Sequence, residues 1–175
     1  MKIIIASDIH GNLEYTEKLY EYCSLKDPDK IILLGDILTN YYAPDPFAEN
    51  EIISIINRWA AITIGVRGNT DRDYDLEKFN FTFADEYEKI NIDGIDFYLT
   101  HGHLNGKYDY LFKDHYCLMG HTHRYDINGK HLNPGSVGLP RGVEEHTCFY
   151  YENHTFSLIN LENYDIIAKI VINKS

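Results

Sequence analysis

Five short apolar runs in this chain break off abruptly, each into a tip built from Asp, Asn or His. Residues 2–6, with Ile3, Ile4 and Ile5 at their centre, stop at Asp8-Ile9-His10. Residues 31–34 stop at Gly35-Asp36, and residues 62–66 at Arg67-Gly68-Asn69-Thr70-Asp71. Residues 95–99 run through Thr100 into His101-Gly102-His103, and residues 115–119 into Gly120-His121-Thr122-His123. A β-branched run without polar alternation is the pattern of a strand buried on both faces, which places it in a sheet covered by helices. In an open α/β sheet, ligands bind beyond the carboxyl ends of the strands. The pattern therefore restricts the chain to an α/β fold whose polar tips converge on one site.

The segments between the runs agree with that restriction. Asn12 is placed to cap a helix whose apolar face is Leu13, Leu19, Tyr20 and Cys23, with Pro28 closing it. An irregular stretch, residues 39–47, precedes a second helix with Ile52, Ile53, Ile56, Trp59 and Ala60 as its stripe. Glu49 and Glu51 in its first turn and Arg58 near its end suit the helix dipole. Asp93-Gly94 and Asn128-Gly129 are two-residue hairpin signals, and Asn153-His154 marks a further turn between alternating strands. A chain of 175 residues is long enough for a core and short for two, so residues 1–175 are expected to form one domain.

Charge and cysteine usage exclude whole classes of partner. A formal net charge of −11 disfavours polyanionic partners, both nucleic-acid polymers and anionic membrane surfaces. The opening apolar run is stopped by Asp8 and is too short to span a bilayer. Cys23, Cys117 and Cys148 are odd in number and lack a Cys-x-x-Cys spacing, which reads as buried reduced thiols and a cytoplasmic protein.

The tips carry ligand chemistry. Two imidazoles one residue apart, as in His121 and His123, cannot share a helix face, but a sharp turn after Gly120 can aim both at one point. Asp8, His10, Asp36, Asn69, His101, His121 and His123 together offer more oxygen and nitrogen donors than one ion takes from protein. Two ions about 4 Å apart with a shared carboxylate would use them all. The set lacks thiolates, which argues against a structural zinc cage and suits Mn²⁺ first, with Ni²⁺, Zn²⁺ or Fe²⁺ as alternatives. Two divalent ions with Asp8 and Asp36 would leave a local excess of about two positive charges, enough to draw in a phosphate ester despite the acidic surface.

Asp8-x-His10, Gly35-Asp36, Gly68-Asn69-x-Asp71, His101-Gly102-His103 and Gly120-His121-x-His123 occur in the order seen in the calcineurin-like metallophosphoesterases, which the chain resembles. Its length, Thr100-His101-Gly102-His103-Leu104 and Asn133-Pro134-Gly135-Ser136 make it most similar to the small YfcE-type phosphodiesterases. The resemblance runs from Met1 to about Arg141. It implies a four-layer α/β/β/α sandwich of two packed mixed β-sheets. One metal would be held by Asp8, His10, Asp36 and His123, the other by Asp36, Asn69, His101 and His121, with Asp36 bridging. It further implies hydrolysis of a small phosphodiester by in-line attack of a hydroxide bridging the ions, with Asp36, Asn69 and His103 as catalytic residues. Alternatives within the same chemistry are a phosphomonoesterase or a cyclic-nucleotide phosphodiesterase. A non-catalytic adaptor like the retromer subunit of this fold is the rival class, and members of the family are often homo-oligomers.

Some positions depart from the family or read two ways. Larger members often carry a histidine after the metal-binding Asn, where it can protonate the leaving group. Here Thr70 stands there, a poor acid. Asp71 reads as a carboxylate that orients a ligand. Asn12 reads as a helix cap or a phosphate contact, and His103 as a substrate contact or a brace. Arg67 and Arg141 match phosphate geometry, with an ordinary ion pair as the competing reading for each. His115, His131, His146 and His154 read as surface or strand histidines. Residues 41–47 read as a lid or as a loop packed on the next helix.

Overall fold

Strand β1 (Lys2–Ala6) sets the architecture, because its side chains alternate into two different cores. The computed structural model describes residues 1–39 and 46–173. Ile3 and Ile5 point into one apolar cluster, and Ile4 and Ala6 into another, each with no exposed surface. A strand has side-chain period two, so a continuous apolar run must bury both faces.

In the first sheet β1 lies parallel to β2 (Lys30–Leu33), which lies parallel to β3 (Thr63–Val66), and β3 to the short β4 (Phe83–Ala84). On the other side of β1 come β10 (Thr147–Glu152), β11 (Thr155–Asn160) and β12 (Ile166–Val171), all antiparallel. The second sheet has the order β5-β6-β7-β9-β8, with β5 at Tyr87–Ile92, β6 at Ile95–Thr100 and β7 at Tyr116–Met119. β8 is Tyr125–Asp126 and β9 is His131–Pro134. Strands β6, β7 and β9 are parallel, while β5 and β8 pair antiparallel. Both sheets are thus mixed. The hairpin signal at Asp93-Gly94 is borne out, with φ of 49° and 85° there, and Asn153 and His154 turn with φ of 49° and 58°.

Three apolar clusters separate four layers. Helix α1 (Leu13–Lys26) lays Leu19, Tyr20, Tyr22 and Cys23 against the first sheet. The Asn12 side chain accepts from the Tyr15 N–H and starts the helix. Asp27 in left-handed conformation ends it just before Pro28. Helix α2 (Pro46–Asn57) adds Ile52 and Ile56 to the same layer. Ile32, Leu34 and Val66 meet Phe97, Leu99, Leu118 and Leu132 between the sheets. Helix α4 (Asn105–Phe112) covers the outside of the second sheet with Tyr108 and Phe112 over Tyr98 and Cys117. This is the expected α/β/β/α sandwich of two packed mixed sheets.

The differences are local. The second helix stops at Asn57, so Trp59 and Ala60 lie past its end, where Arg58 and Trp59 bond three residues back and a 3-10 turn occupies Ala60–Ile62. Strand β3 accordingly starts at Thr63. Helix α4 gives little sequence signal, since only Tyr108 and Phe112 of its eight residues are buried and no side chain caps it. The one-turn α3 (Asp73–Leu76) sits in the acidic stretch that follows Asp71. Residues 41–45 of the suggested lid lie outside the described residues, while Phe47, at the start of α2, is exposed.

Phe156 ties the inter-sheet core together. Its ring centroid lies 4.8 Å from Tyr151, 5.6 Å from Phe149 and 5.8 Å from Phe97 of the opposite sheet. Phe156→Ala should lower unfolding free energy by about 3–5 kcal/mol. A denaturant midpoint within error of the parent protein would show that the sheets do not depend on this packing.

Candidate metal centre

Five tip residues hold a backbone conformation that side chains disfavour. Asp8, His10, Asp36, His121 and His123 have φ of 55°, 48°, 56°, 70° and 60°. Non-glycine residues persist in the left-handed region only where their surroundings over-determine them. Here a lattice of hydrogen bonds does so. Asp8 N–H donates to Gly35 O at 3.0 Å, His10 N–H to Asp36 O at 3.0 Å and Gly11 N–H to Ile37 O at 2.9 Å, joining the tips of β1 and β2. The Asp71 carboxylate then accepts from the N–H groups of Asp36 (2.8 Å), Ile37 (2.9 Å) and Gly68 (2.8 Å). It welds the tip of β3 to that of β2. Gly68 is required by closeness, since a Cβ there would lie 2.1 Å from Asp36 Oδ1.

The same lattice aims the carboxylates. Asp8 Oδ2 accepts from Ser7 Oγ at 2.6 Å and from the His121 N–H at 3.0 Å. Asp8 Oδ1 is left buried with no hydrogen-bond donor. Asp36 Oδ1 accepts from the Thr70 N–H at 2.9 Å. Asp36 Oδ2 instead faces two imidazoles, 3.5 Å from His10 Nε2 and 3.4 Å from His101 Nε2.

Backbone carbonyls set the histidine tautomers. A carbonyl can only accept, so His10 Nδ1–H donates to Thr39 O (2.9 Å), His101 Nδ1–H to Leu34 O (2.6 Å) and His123 Nδ1–H to Leu139 O (2.5 Å). In the neutral rings each Nε2 lone pair then points inward. His10 Nε2 lies 3.3 Å from His123 Nε2, and His101 Nε2 lies 3.1 Å from Asn69 Oδ1. His123 Nε2 is also 3.3 Å from Asp8 Oδ1.

Acceptor thus faces acceptor at every inward position, in a pocket whose Asp8, Asp36, His101 and His123 are all buried. Such an arrangement repels itself unless positive charge sits among the donors. The donor types and the committed Nδ1 atoms fit divalent cations, because a ligating imidazole is held by its other nitrogen in this way. Among the described residues, one ligand atom from each of Asp8, His10 and His123 falls within a mutual 4.8 Å, and likewise for Asp8, Asp36 and His101.

The titration of the site reports the same field. Burial works against the ionised form of Asp36, but His101 and the Thr70 N–H outweigh it and hold the carboxyl well below the usual range. Burial also disfavours protonated His10 and His101, yet their pKa values are raised, His10 by Asp8, Thr39 and Asp36, and His101 by Asp36 and Asp8. Burial dominates for His103, His121 and His123, which are lowered.

The structure brings all seven candidate ligands to one end of the two sheets, with differences in depth. His121 is half-buried, its ring 5.2 Å from His101, and Asn69 is exposed at the mouth. His103 sits behind them, its ring 5.4 Å from His101 and its buried Nδ1 without a partner. Asn12 is a structural residue, capping α1 and donating to Gly138 O at 3.0 Å. Arg67 is ion-paired with Asp73 at 2.6 Å. His115, His131 and His146 bond to backbone carbonyls away from the centre. Sequence reasoning passed over Ser7, Thr39 and Leu139. Ser7 stood next to a candidate carboxylate, but the carbonyls of Thr39 and Leu139 leave no trace in residue type.

Known proteins share this plan. The calcineurin-like phosphoesterase superfamily domain matches residues 1–155. Phosphodiesterase YfcE of Escherichia coli is 32% identical over 182 aligned residues, covering 99% of each chain. The solved structure of that phosphoesterase superposes with a TM-score of 0.85 over 99% of this chain and 100% of the other, at 31% identity. A probable metallophosphoesterase of Mycoplasma pneumoniae is 28% identical over 80% of this chain and 81% of its own. Vps29 of Entamoeba histolytica shares the fold, with a TM-score of 0.67 at 17% identity over 99% of this chain and 100% of the other.

Asp71→Ala removes the acceptor of three buried N–H groups that set the position of Asp36. Mn²⁺ affinity measured by titration calorimetry should fall about 10–100-fold. Unchanged affinity in a folded variant would show that Asp36 holds its place unaided.

Proposed function

The chain belongs to the calcineurin-like phosphoesterase superfamily, and from that premise we propose that it is a metal-dependent phosphodiesterase of the cytoplasm acting on small phosphoesters. In this reading residues 1–175 work as one unit around two divalent ions, Mn²⁺ first among the candidates. Asp8, His10, Asp36 and His123 would hold one ion, and Asp36, Asn69, His101 and His121 the other. The observation that carries it is Asp36 Oδ2, nearly equidistant from His10 Nε2 and His101 Nε2 at 3.5 and 3.4 Å. A carboxylate oxygen shared by two imidazole groups is the arrangement a bridging ligand needs.

When bound, such ions supply hydroxide near neutral pH and positive charge for a phosphoryl group. The protein's share is positioning. The Asp71 clamp and the three Nδ1–H bonds keep the donors oriented before any ligand arrives, which spares reorganisation during reaction. Asn69, exposed with its Oδ1 turned toward His101, keeps its amide N–H groups for a phosphoryl oxygen. His103, its pKa lowered by burial, has its Nδ1 buried, which leaves Nε2 as the ring nitrogen for a second polar contact with the substrate.

The likeness to Vps29 is one of fold alone. The adaptor reading gains nothing from the tips, where all seven candidate donors are present and His10, His101 and His123 are each held through Nδ1. No helix among the described residues is long and apolar enough to cross a membrane.

Asp36→Asn should lower turnover of an Mn²⁺-dependent aryl phosphodiester reaction by about 10³-fold or more, since it replaces the shared anionic oxygen by a neutral amide. Near-parental turnover in a metal-loaded Asp36→Asn protein would sink the assignment. Thr70 supplies no proton for the departing alkoxide, so kcat across a series of aryl and alkyl diesters should fall steeply as the leaving-group pKa rises. A flat series would mean that another residue serves as the acid.

A further inference from the structure

Arg141 lies on the loop that closes the His123 side of the site, and that loop is pinned on both sides of the residue. His123 Nδ1–H donates to Leu139 O, Arg141 N–H donates to His123 O at 3.2 Å, and Arg124 Nε–H donates to Arg141 O at 3.1 Å. Leu139 N–H is held by Ser136 Oγ at 2.8 Å, and Ser136 Oγ–H donates to Asp8 O at 2.8 Å. The next residue, Gly142, has φ of 72°, and a Cβ there would press on the Arg124 guanidinium at 3.1 Å. The backbone of Arg141 is thus tied directly to a candidate ligand, yet its side chain is exposed and makes no ion pair or hydrogen bond among the described residues. Arg67, the other guanidinium weighed for phosphate, is committed to Asp73 and to the Asp71 carbonyl.

An uncommitted cation at the rim of a site on a chain of net charge −11 is out of keeping with its surroundings. Arg141 stands outside the grouped candidate ligands, next to them through its backbone bond to His123. We propose that Arg141 reads a second anionic group on the substrate, so that the preferred substrates are small phosphoesters bearing an additional carboxylate or phosphate beside the scissile ester. The proposal rests on the phosphodiesterase reading for its substrate, but not for its binding test. A guanidinium offers a planar pair of donors to such a group, and its fixed charge persists over the whole working pH range. Arg141 is therefore a specificity residue, separate from the groups that hold the reacting phosphoryl.

Two measurements decide it. In the first, Mn²⁺-loaded protein is titrated with ethylphosphonate and with 3-phosphonopropionate, which adds one carboxylate, and with 1,2-ethylenediphosphonate, which adds a second phosphonate. The parent protein should bind one or both doubly anionic compounds about 10-fold more tightly than ethylphosphonate, and the arm that wins names the group that is read. Arg141→Ala should shrink that ratio toward one, Arg141→Lys should keep part of it, and Arg141→Glu should reverse it. In the second, 4-nitrophenyl ethyl phosphate is compared with 4-nitrophenyl 2-carboxyethyl phosphate and 4-nitrophenyl 2-phosphonoethyl phosphate, which share a leaving group. The preference should appear in KM rather than kcat and should weaken in Arg141→Ala. A ratio unchanged by Arg141→Ala, with Mn²⁺ affinity and fold intact, overturns the proposal and leaves the phosphodiesterase reading standing. Failure of the parent protein to turn over any of the three esters would count against that reading, while the phosphonate titration still decides the role of Arg141.

Discussion

Everything at the working end of this protein follows from electron-pair acceptors forced to face one another where water is scarce. Asp8 Oδ1, Asp36 Oδ2 and the inward nitrogens of His10, His101 and His123 lie within 3.1–3.7 Å of one or more other acceptors. Among buried groups this is repulsive, and nothing in the apolar layers around it relieves the repulsion. The fold tolerates it because the acceptors are carried on strand tips whose cores, Ile3, Ile5, Ile32, Leu34 and Val66, bury fully between the sheets. Each such side chain contributes about 1.5–3 kcal/mol, so a handful of them offsets a locally unfavourable site.

The left-handed backbone is the mechanical counterpart of that electrostatic tension. A strand that continued past Ala6, Leu34 or Met119 would send successive side chains to opposite faces. Turning Asp8, His10, Asp36, His121 and His123 into positive φ instead brings neighbours to one side. Bonds within a tip, such as Gly68 N–H to Asp71, are joined by others that run from one tip to the next. Asp71 joins β3 to β2, Leu34 O links the first sheet to His101 of the second, and the His121 N–H reaches Asp8. The site is therefore assembled only when both sheets are packed.

What could be read before folding was whatever residue type decides. The apolar runs gave the buried strands, Asp93-Gly94 gave its hairpin, Asn12 gave the start of α1, and the Asp, Asn and His tips gave the candidate donors that the fold brings to one end of the sheets. Helix α4 escaped because Tyr108 and Phe112 are its only buried residues, with Leu111 partly buried beside them, and so short a set does not make a periodic signal. The end of α2 was overrun because Trp59 continues the apolar stripe while the backbone has already tightened into a 3-10 turn. The carbonyls of Thr39, Leu34 and Leu139, which choose the histidine tautomers, were invisible in principle, since every residue carries a carbonyl. Arg67 and Arg141 looked alike in sequence, and only the folded positions of Asp73, Asp85 and the Asp71 carbonyl separate a neutralised guanidinium from one without an ion pair among the described residues.

The tension at the tips also links metal to stability. A cation that binds the native donor set and not the unfolded chain stabilises the fold by RT ln(1 + [L]/Kd), about 2.7 kcal/mol at a hundredfold excess over Kd. In this protein the gain has a structural address. A bound charge would relieve the repulsion among these close acceptors, and the Asp71 clamp and the Nδ1–H bonds already point the lone pairs inward for it. The groups that orient the donors are thus distinct from the donors themselves, and Ser7, Asp71 and the three carbonyls hold the geometry whichever divalent ion is present. Ion identity is then left to the inward set of oxygen and nitrogen atoms, whose lack of thiolate favours the harder first-row ions over those that seek sulfur.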